Sequence, residues 1–327
     1  VESIFYLYNI VFLLSGLLTQ LCCIEQANLQ YKGVFVSNVL RQFCMFIFPM
    51  YCYFLNRSVS LEELVWAQLV GIILSLLGSW FYVKRFFNFR ISFDKSWLMK
   101  IYNYGKFSFG TSVSAQLSNT LDQWMLAGLL SPASSASFNI AVRVTNLINV
   151  PTDAVATIVF PQSSRRMQTD GPDAIRYLYE KSVGTIMAIL IPAVLFVYIF
   201  NDQIINLLAG DKYEDAVPLL NITLMYCLLI PYGRQFGTIL DSIGKTRITF
   251  ITVLITASLN LTLNYILITH MGLIGAAYAT LIANVAGFGF AQYILYRELR
   301  INLFHTLIYA WRFYPEFINK YILKRGK

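Results

Sequence analysis

The stretch Ile248–Tyr296, ITFITVLITASLNLTLNYILITHMGLIGAAYATLIANVAGFGFAQYILY, contains no Asp, Glu, Lys or Arg. A helix needs about 20 mostly apolar residues to cross the hydrocarbon core of a membrane. The stretch is long enough for two such helices, and residues 269–272 contain turn-forming Gly272 near its centre. It therefore predicts two membrane-spanning helices joined by a tight turn.

The composition of the rest of the chain supports the same class of protein. Of its 327 residues, 57% are hydrophobic and 13% are charged, whereas a soluble domain carries about 25% charged residues. These values argue against a disordered chain, a disulfide scaffold and an ordinary soluble enzyme. We therefore predict an all-α integral membrane protein, a polytopic helical bundle with nine transmembrane helices. The other seven predicted spans are residues 4–22, 34–55, 64–83, 107–130, 137–160, 183–200 and 217–240.

The distribution of basic residues predicts the orientation. Most of the 25 Lys and Arg residues fall in alternate connections and in the C-terminal tail, which places those segments in the cytoplasm. Nine spans that end inside put Val1 outside, and we expect the chain to lack an odd number of N-terminal helices. The net charge of +8 is interpreted as basic loops facing anionic lipid, not as a nucleic-acid surface.

Four regions follow from these assignments. Residues 84–106 mix aromatic with basic side chains, which is typical of an amphipathic segment in the membrane interface. We predict the remainder of an N-terminal lobe with three helices (1–88), an amphipathic interfacial connector (89–105), a C-terminal six-helix lobe (106–298) and a cytoplasmic amphipathic tail (299–327). Four prolines lie inside predicted spans and are expected to kink them: Pro49, Pro151, Pro192 and Pro231.

Two ionisable residues lie at membrane depth, where such groups are costly and usually face a cavity or a partner. Asp122 and Arg143 each lie about eight residues, roughly 12 Å, from the outer end of adjacent predicted helices. Antiparallel neighbours bring these depths together. We therefore expect an ion pair between Asp122 and Arg143.

Polar residues spaced three and four apart accompany both charges and so share one face of each helix. One stripe contains Ser108, Ser112, Gln116, Asn119 and Gln123, and the other contains Asn139, Arg143, Asn146 and Asp153, with Asn149 close by. These faces either meet each other, with Asn and Gln joining helices, or line a wet cavity. Both interpretations remain open at this stage.

Other polar positions carry weaker signals. Arg41 lies about a third of the way into its helix, whereas Arg234 and Asp241 lie near the cytoplasmic end of theirs, where snorkelling is expected. A third stripe is expected to pack between helices: Thr252, Thr256, Asn260 and Asn264.

No catalytic, cofactor or metal site is predicted. The two histidines, His270 and His305, lie near opposite surfaces, and no nucleotide-binding or nucleophile motif is present. If this protein moves a substrate, ATP hydrolysis by this chain is not the energy source.

Several motifs in order resemble one family. They are LDQWMLAG at 121–128, FNIAVR at 138–143, VFP at 159–161, DSIGKTR at 241–247, and residues 260–264 followed by GLIGAAYAT at 272–280. Together they resemble the Wzx-type polysaccharide biosynthesis proteins, the oligosaccharide-lipid flippases of the MOP exporter superfamily. The resemblance covers nearly the whole chain.

The resemblance implies twelve spans in two six-helix lobes, of which this chain would hold the fourth to the twelfth. It implies a membrane transporter, not an enzyme, that moves undecaprenyl-diphosphate-linked oligosaccharide from the cytoplasmic to the outer leaflet of the bacterial inner membrane by alternating access. The expected partners are that lipid-linked glycan, membrane lipid, a polysaccharide polymerase and a chain-length regulator, without nucleic acid.

The resemblance also suggests roles for individual residues, because the arginine fork suits phosphate oxygens. We expect Arg143, with Arg41 second, to bind the diphosphate, and Asp122 to hold Arg143 when the cavity is empty. Asp153 is a candidate proton or cation site. The expected contacts to sugar hydroxyls are Gln116, Asn119, Asn146 and Asn149.

Two rival functions remain. A cation-coupled drug exporter of the same superfamily would favour acidic and aromatic cavity residues over arginine. A membrane-embedded O-antigen polymerase or ligase would need a sizeable outer loop, and the largest one predicted here spans only residues 201–216. A purely structural role explains the paired charges least well.

Overall fold

The computed structural model describes residues 2–57, 59–86, 93–210, 213 and 215–319, with the side chains of residues 2, 3 and 119 outside that description. Throughout these ranges the chain is helical, with no strand, so the predicted all-α membrane fold is confirmed. The α-helices are α1 Glu2–Ala27, α2 Lys32–Phe54, α3 Leu61–Val83, α4 Lys95–Leu129, α5 Pro132–Ile148, α6 Val150–Thr169, α7 Pro172–Ile199, α8 Asn201–Ala209, α9 Ala216–Cys227, α10 Ile230–Ser242, α11 Thr246–Met271, α12 Leu273–Leu299 and α13 Leu303–Phe317.

Six helices in the described ranges are long and apolar enough to cross a membrane, namely α1, α2, α3, α7, α11 and α12. The bent pair α9 and α10 makes a seventh candidate. The other two predicted spans fall in α4 and in the broken pair α5 and α6. Those helices carry the polar stripes, which is why length and apolarity alone do not select them.

The turn predicted within 269–272 joins α11 to α12. Gly272 has φ 64°, a left-handed conformation in which glycine avoids a Cβ clash. Three residues later, a Cβ on Gly275 would overlap the carbonyl oxygen of Leu267. Glycine at these two positions therefore permits both the reversal and the close approach of the two helices.

Two of the prolines predicted inside spans instead mark helix breaks. Pro151 and Pro231 lie at the second positions of α6 and α10, where a missing backbone N–H costs nothing within the helix. The axes of α9 and α10 differ by 41°. Pro49 and Pro192 remain inside α2 and α7.

The two breaks touch each other. The Asn149 side chain, between α5 and α6, donates from Nδ2 to the carbonyl oxygen of Thr145 at 2.9 Å and to Sγ of Cys227 at 3.4 Å. Cys227 is the last residue of α9 and is fully buried. On either side of this contact, α5 packs against α9 and α6 packs against α10.

The chain divides into two compact units, Val1–Phe93 and Asp94–Lys327. This boundary falls inside the predicted connector 89–105, of which residues 89–92 lie outside the described part. The Asp94 side chain caps α4 by accepting from the backbone N–H of Ser96 at 2.8 Å. From Lys95 the helix runs without a break to Leu129, so the described end of the connector forms the first turns of α4.

The first unit contains α1, α2 and α3. Ser37 and Ser75, both buried, donate to each other's carbonyl oxygens at 3.1 and 2.8 Å and join α2 to α3. Side-chain hydrogen bonds and small residues hold membrane helices together, because the hydrophobic effect does not favour contact between helices over contact with lipid.

The second unit contains α4 to α13. Helix α11 packs against both α4 and α12, and α10 contacts α6, α7, α11 and α12. Helix α13, in the predicted tail, packs along α7. The arrangement of α4, α10, α11 and α12 leaves a cavity between these helices.

Candidate functional site

The cavity lies entirely within the second unit and has a volume of about 430 Å³. Helices α4, α10, α11 and α12 supply its walls. The polar part of the lining consists of Ser118, Asp122, Arg234, Thr252, Thr256, Asn260, Thr280 and Asn284. A membrane-embedded cavity with a carboxylate, a guanidinium and several hydroxyl and amide groups offers both charge and hydrogen bonds to a guest.

Asp122 is the buried acidic group on this wall, with 6% of its surface exposed. Its Oδ1 accepts from Nδ2 of Asn264 at 2.8 Å, and its Oδ2 accepts from Oγ1 of Thr280 at 3.3 Å. Asn260 continues the network, because it accepts at Oδ1 from Ser118 at 3.3 Å and donates to Thr280 at 3.4 Å. Neutral donors on α11 and α12 therefore hold the carboxylate.

The expected ion pair between Asp122 and Arg143 is not present in the described part of the chain. Asp122 bonds to α11 and α12, while Arg143 on α5 is exposed and makes no ion pair with any described residue. The reason is helical phase. Asp122 shares its face of α4 with Ser118, four residues earlier, whereas the predicted stripe of Gln116 and Gln123 follows another face.

The guanidinium in the cavity wall belongs to Arg234 on α10, which the sequence suggested as a snorkelling residue. Its Nε lies 2.9 Å from Oδ1 of Asp153 on α6. The exposed fractions of these side chains are 55% and 69%. The pair is therefore not sealed inside the protein, and the guanidinium remains accessible to another anion.

The remaining predicted site residues occupy different surroundings. Gln116 and Asn146 are exposed, and the side chain of Asn119 lies outside the described part. Asn149 is buried at the break between α5 and α6. Arg41 lies half-buried in the first unit. None of the four described side chains lines the cavity.

Most residues of the cavity wall were not predicted from the sequence. Thr252, Thr256 and Asn260 were expected to pack between helices, but they line the cavity, and Asn264 of the same stripe binds Asp122. The feature that could have identified these residues is their four-residue spacing, which Thr280 and Asn284 repeat on α12. Spacing identifies a shared face, but it does not say whether that face meets a helix or a cavity.

Comparisons with known proteins agree on one group. A family model described as polysaccharide biosynthesis protein matches residues 1–218. The probable low-salt glycan biosynthesis flippase of Haloferax volcanii is 25% identical over 225 residues, which are 69% of this chain and 47% of the relative. The Escherichia coli lipopolysaccharide biosynthesis protein WzxC is 22% identical over 207 residues, 59% of this chain and 42% of the relative. This chain spans about half the length of the curated relatives it matches.

Solved structures of similar fold are transporters. An outward-facing multidrug resistance MATE family transporter of the MOP superfamily superimposes with a TM-score of 0.69 at 19% identity, over 80% of this chain and 61% of that one. A MOP superfamily transporter from Pyrococcus furiosus gives 0.68 at 18% identity, over 82% and 63%. At these identities the likeness concerns the fold alone. The family model covers more than half of the chain, and the chain belongs to the polysaccharide biosynthesis protein family.

Proposed function

We propose that this chain is part of a flippase that moves a lipid-linked oligosaccharide across the cytoplasmic membrane by alternating access. Family membership and the named flippase relative support this proposal. The proposed carrier is undecaprenyl diphosphate. We further propose that the C-terminal tail lies in the cytoplasm and that a polymerase and a chain-length regulator are the partners of the flippase.

The observation that carries the proposal is the Arg234 guanidinium in the wall of a cavity that is partly lined by polar side chains. A diphosphate needs a cationic partner in a site of low dielectric, and the planar fork of arginine matches its oxygens. Asp153 balances the charge of Arg234. Because both side chains of this pair are more than half exposed, a diphosphate of higher charge is expected to displace Asp153.

Hydrogen-bonding groups beside Arg234 suit the sugar part of the guest. Thr256, Asn260 and Asn284 present hydroxyl and amide groups to the same cavity. We also propose contacts along the transport route from three exposed residues, Arg143 to the diphosphate and Gln116 and Asn146 to the sugars, because polar side chains on spanning helices usually face a cavity or a partner. Arg41 is a second proposed contact to the diphosphate and Asn119 a further contact to the sugars, whereas Asn149 is buried and bonded to Thr145 and Cys227.

Asp122 is the proposed ion-coupling group. Its carboxylate is buried and bonded by neutral donors, without a cationic partner in the described part of the chain. Such a carboxylate is suited to bind a proton or a small cation. The proton or cation would bind and leave as the cavity opens alternately to the two sides of the membrane.

The same carboxylate favours a second function, a cation-coupled drug exporter. A buried acid on the wall of a cavity attracts a cationic organic guest, for which Arg234 would be unfavourable. The two functions therefore make opposite demands on Asp122 and Arg234.

A reconstitution experiment separates them. The full-length protein that contains this chain would be tested in proteoliposomes for flipping of a fluorescent lipid-linked oligosaccharide and, separately, for transport of a cationic dye. Arg234→Ala is expected to lower flipping at least about tenfold, the effect of losing about 1.4 kcal/mol of binding to the diphosphate. Arg234→Lys should retain part of it, and Arg297→Ala, which removes an exposed charge outside the cavity, should change nothing. Unchanged flipping in Arg234→Ala would remove the proposed role of Arg234. No flipping by the full-length protein, together with dye transport that depends on Asp122, would replace the flippase proposal by the exporter.

A further inference from the structure

Helix α13 is held tightly along α7. A Cβ on Gly184 would lie 2.7 Å from the carbonyl oxygen of Thr306 and 3.0 Å from the backbone nitrogen of Ala310. Farther along, the Tyr314 hydroxyl donates to the carbonyl oxygen of Ala188 at 2.7 Å. One face of α13 therefore packs against α7.

The beginning of α13 is anchored by a buried carboxylate. Oε1 of Glu180 accepts from Nε of Arg176 at 3.1 Å and from the backbone N–H of Asn302 at 3.0 Å. Its Oε2 lies 3.0 Å from Nδ1 of His305. Only 4% of the Glu180 side chain is exposed. These contacts fix His305 at the edge of α13.

A second face of α13 is apolar and exposed. Phe304, Leu307, Ile308 and Trp311 recur at helical spacing, and 46% to 79% of each is exposed. With 15 residues the helix is shorter than the about 20 residues that a span requires. An amphipathic helix of this kind lies in the membrane interface with its apolar face toward the acyl chains.

A small basic cavity opens beside this apolar face. It has a volume of about 180 Å³ and is lined by His305, Ile308, Tyr309 and Arg312. Arg312 is exposed and makes no ion pair with any described residue. Lys181 of α7, which also interacts with the Glu316 carboxylate, places a further positive charge near Tyr309. Its Nζ donates to the Tyr177 hydroxyl at 3.0 Å, and the ring of Tyr177 packs edge-on against that of Tyr309, with ring centres 5.8 Å apart.

We propose that this cavity binds the headgroup phosphate of an acidic phospholipid whose acyl chains lie along the exposed face of α13. The guanidinium of Arg312 supplies the phosphate contact, and basic residues at the membrane interface attract anionic headgroups. The adjoining apolar face distinguishes a phospholipid from a free anion. The site belongs to α7 and α13, apart from the cavity between α4, α10, α11 and α12, and does not rest on the proposed transport activity.

Trp311 provides a direct readout, because 79% of it is exposed on the face that the acyl chains would cover. The protein would be placed in nanodiscs of neutral lipid that contain equal small fractions of either brominated phosphatidylglycerol or brominated phosphatidylcholine. Bromine quenches tryptophan at short range, and subtracting the signal of Trp311→Phe isolates the contribution of α13. We expect phosphatidylglycerol to quench this contribution about threefold more than phosphatidylcholine. One contact to a basic side chain is expected to enrich the anionic lipid beside α13 by about that factor.

Two variants test the assignment of the phosphate contact. Arg312→Gln should equalise quenching by the two lipids, whereas Arg297→Gln, an equal loss of charge on the last turn of α12, should leave the preference intact. Equal quenching in the unmodified protein would overturn the proposal whatever the variants do. A preference that persists in Arg312→Gln, or that inorganic phosphate abolishes at constant ionic strength, would also overturn it, because the site would then lack Arg312 or lack selectivity for lipid.

Discussion

Nε of Arg234 lies 2.9 Å from Oδ1 of Asp153 and joins α10 to α6 at the wall of the cavity. Both side chains are more than half exposed. The pair therefore contributes little to the fold, and its two charges remain accessible to a guest.

Removing Asp153 tests whether the ion pair with Arg234 contributes to the stability of the fold. Asp153→Asn should change the free energy of unfolding by no more than about 1 kcal/mol, since exposed ion pairs are worth little. Thermal unfolding in detergent measures this. A loss well beyond that range would mean that the pair is a structural element, and it would weaken the idea that a substrate anion displaces Asp153.

The Asp122 network makes a contrasting prediction. Asn264→Ala removes the 2.8 Å bond to Asp122 and leaves a buried carboxylate oxygen without that donor, which should destabilise the protein by about 1–3 kcal/mol. Thr262→Val is the matched control, because its hydroxyl is exposed and donates to the carbonyl oxygen of Ser258 within α11. Equal unfolding temperatures for the two variants would contradict the network described here.

Helix packing at the turn between α11 and α12 is testable by adding one methyl group. Gly275→Ala should cost about 1–3 kcal/mol, because the new Cβ overlaps backbone that is unable to move aside easily. On the same helix, Gly289 has open space around a Cβ, so Gly289→Ala should be neutral or slightly stabilising. The difference in unfolding temperature between the two alanine variants is the measurement, and its absence would refute the close approach at Gly275.

The anchor of α13 predicts a local effect. Glu180→Ala removes the acceptor of the Asn302 N–H and of the Arg176 and His305 contacts. Hydrogen exchange in residues 303–317 should become at least about fivefold faster, which corresponds to a loss of about 1 kcal/mol. Glu298→Gln, which disrupts an exposed pair with Lys245, should leave that segment protected. Unchanged exchange in Glu180→Ala would show that packing alone holds α13.

The fold was largely predictable from the sequence because membrane spans depend on length and apolarity. The uncharged run that ends at Tyr296 gave α11, α12 and the turn at Gly272 directly. Breaks were harder to place. A proline such as Pro231 is compatible with a kink inside one helix or with the start of a new one, and packing of neighbouring helices decides between them.

The cavity was only partly predictable. Asp122 stood out because a charge at membrane depth requires a partner, but its partners lie about 140 and 160 residues away in sequence. Arg234 looked like a snorkelling residue from its position near a helix end. A break before α10 changes which side chains face inward, and no local spacing reveals that.

The contact between Asn149 and Cys227 has a mechanical consequence. It joins the two interrupted spans at their breaks, with α5 and α9 packed on one side of the contact and α6 and α10 on the other. Bending at only one of the two breaks would separate the Asn149 amide from the Cys227 sulfur, so the two breaks are expected to bend together. Arg234 and Asp153 both follow these breaks, on α10 and α6, and would move together.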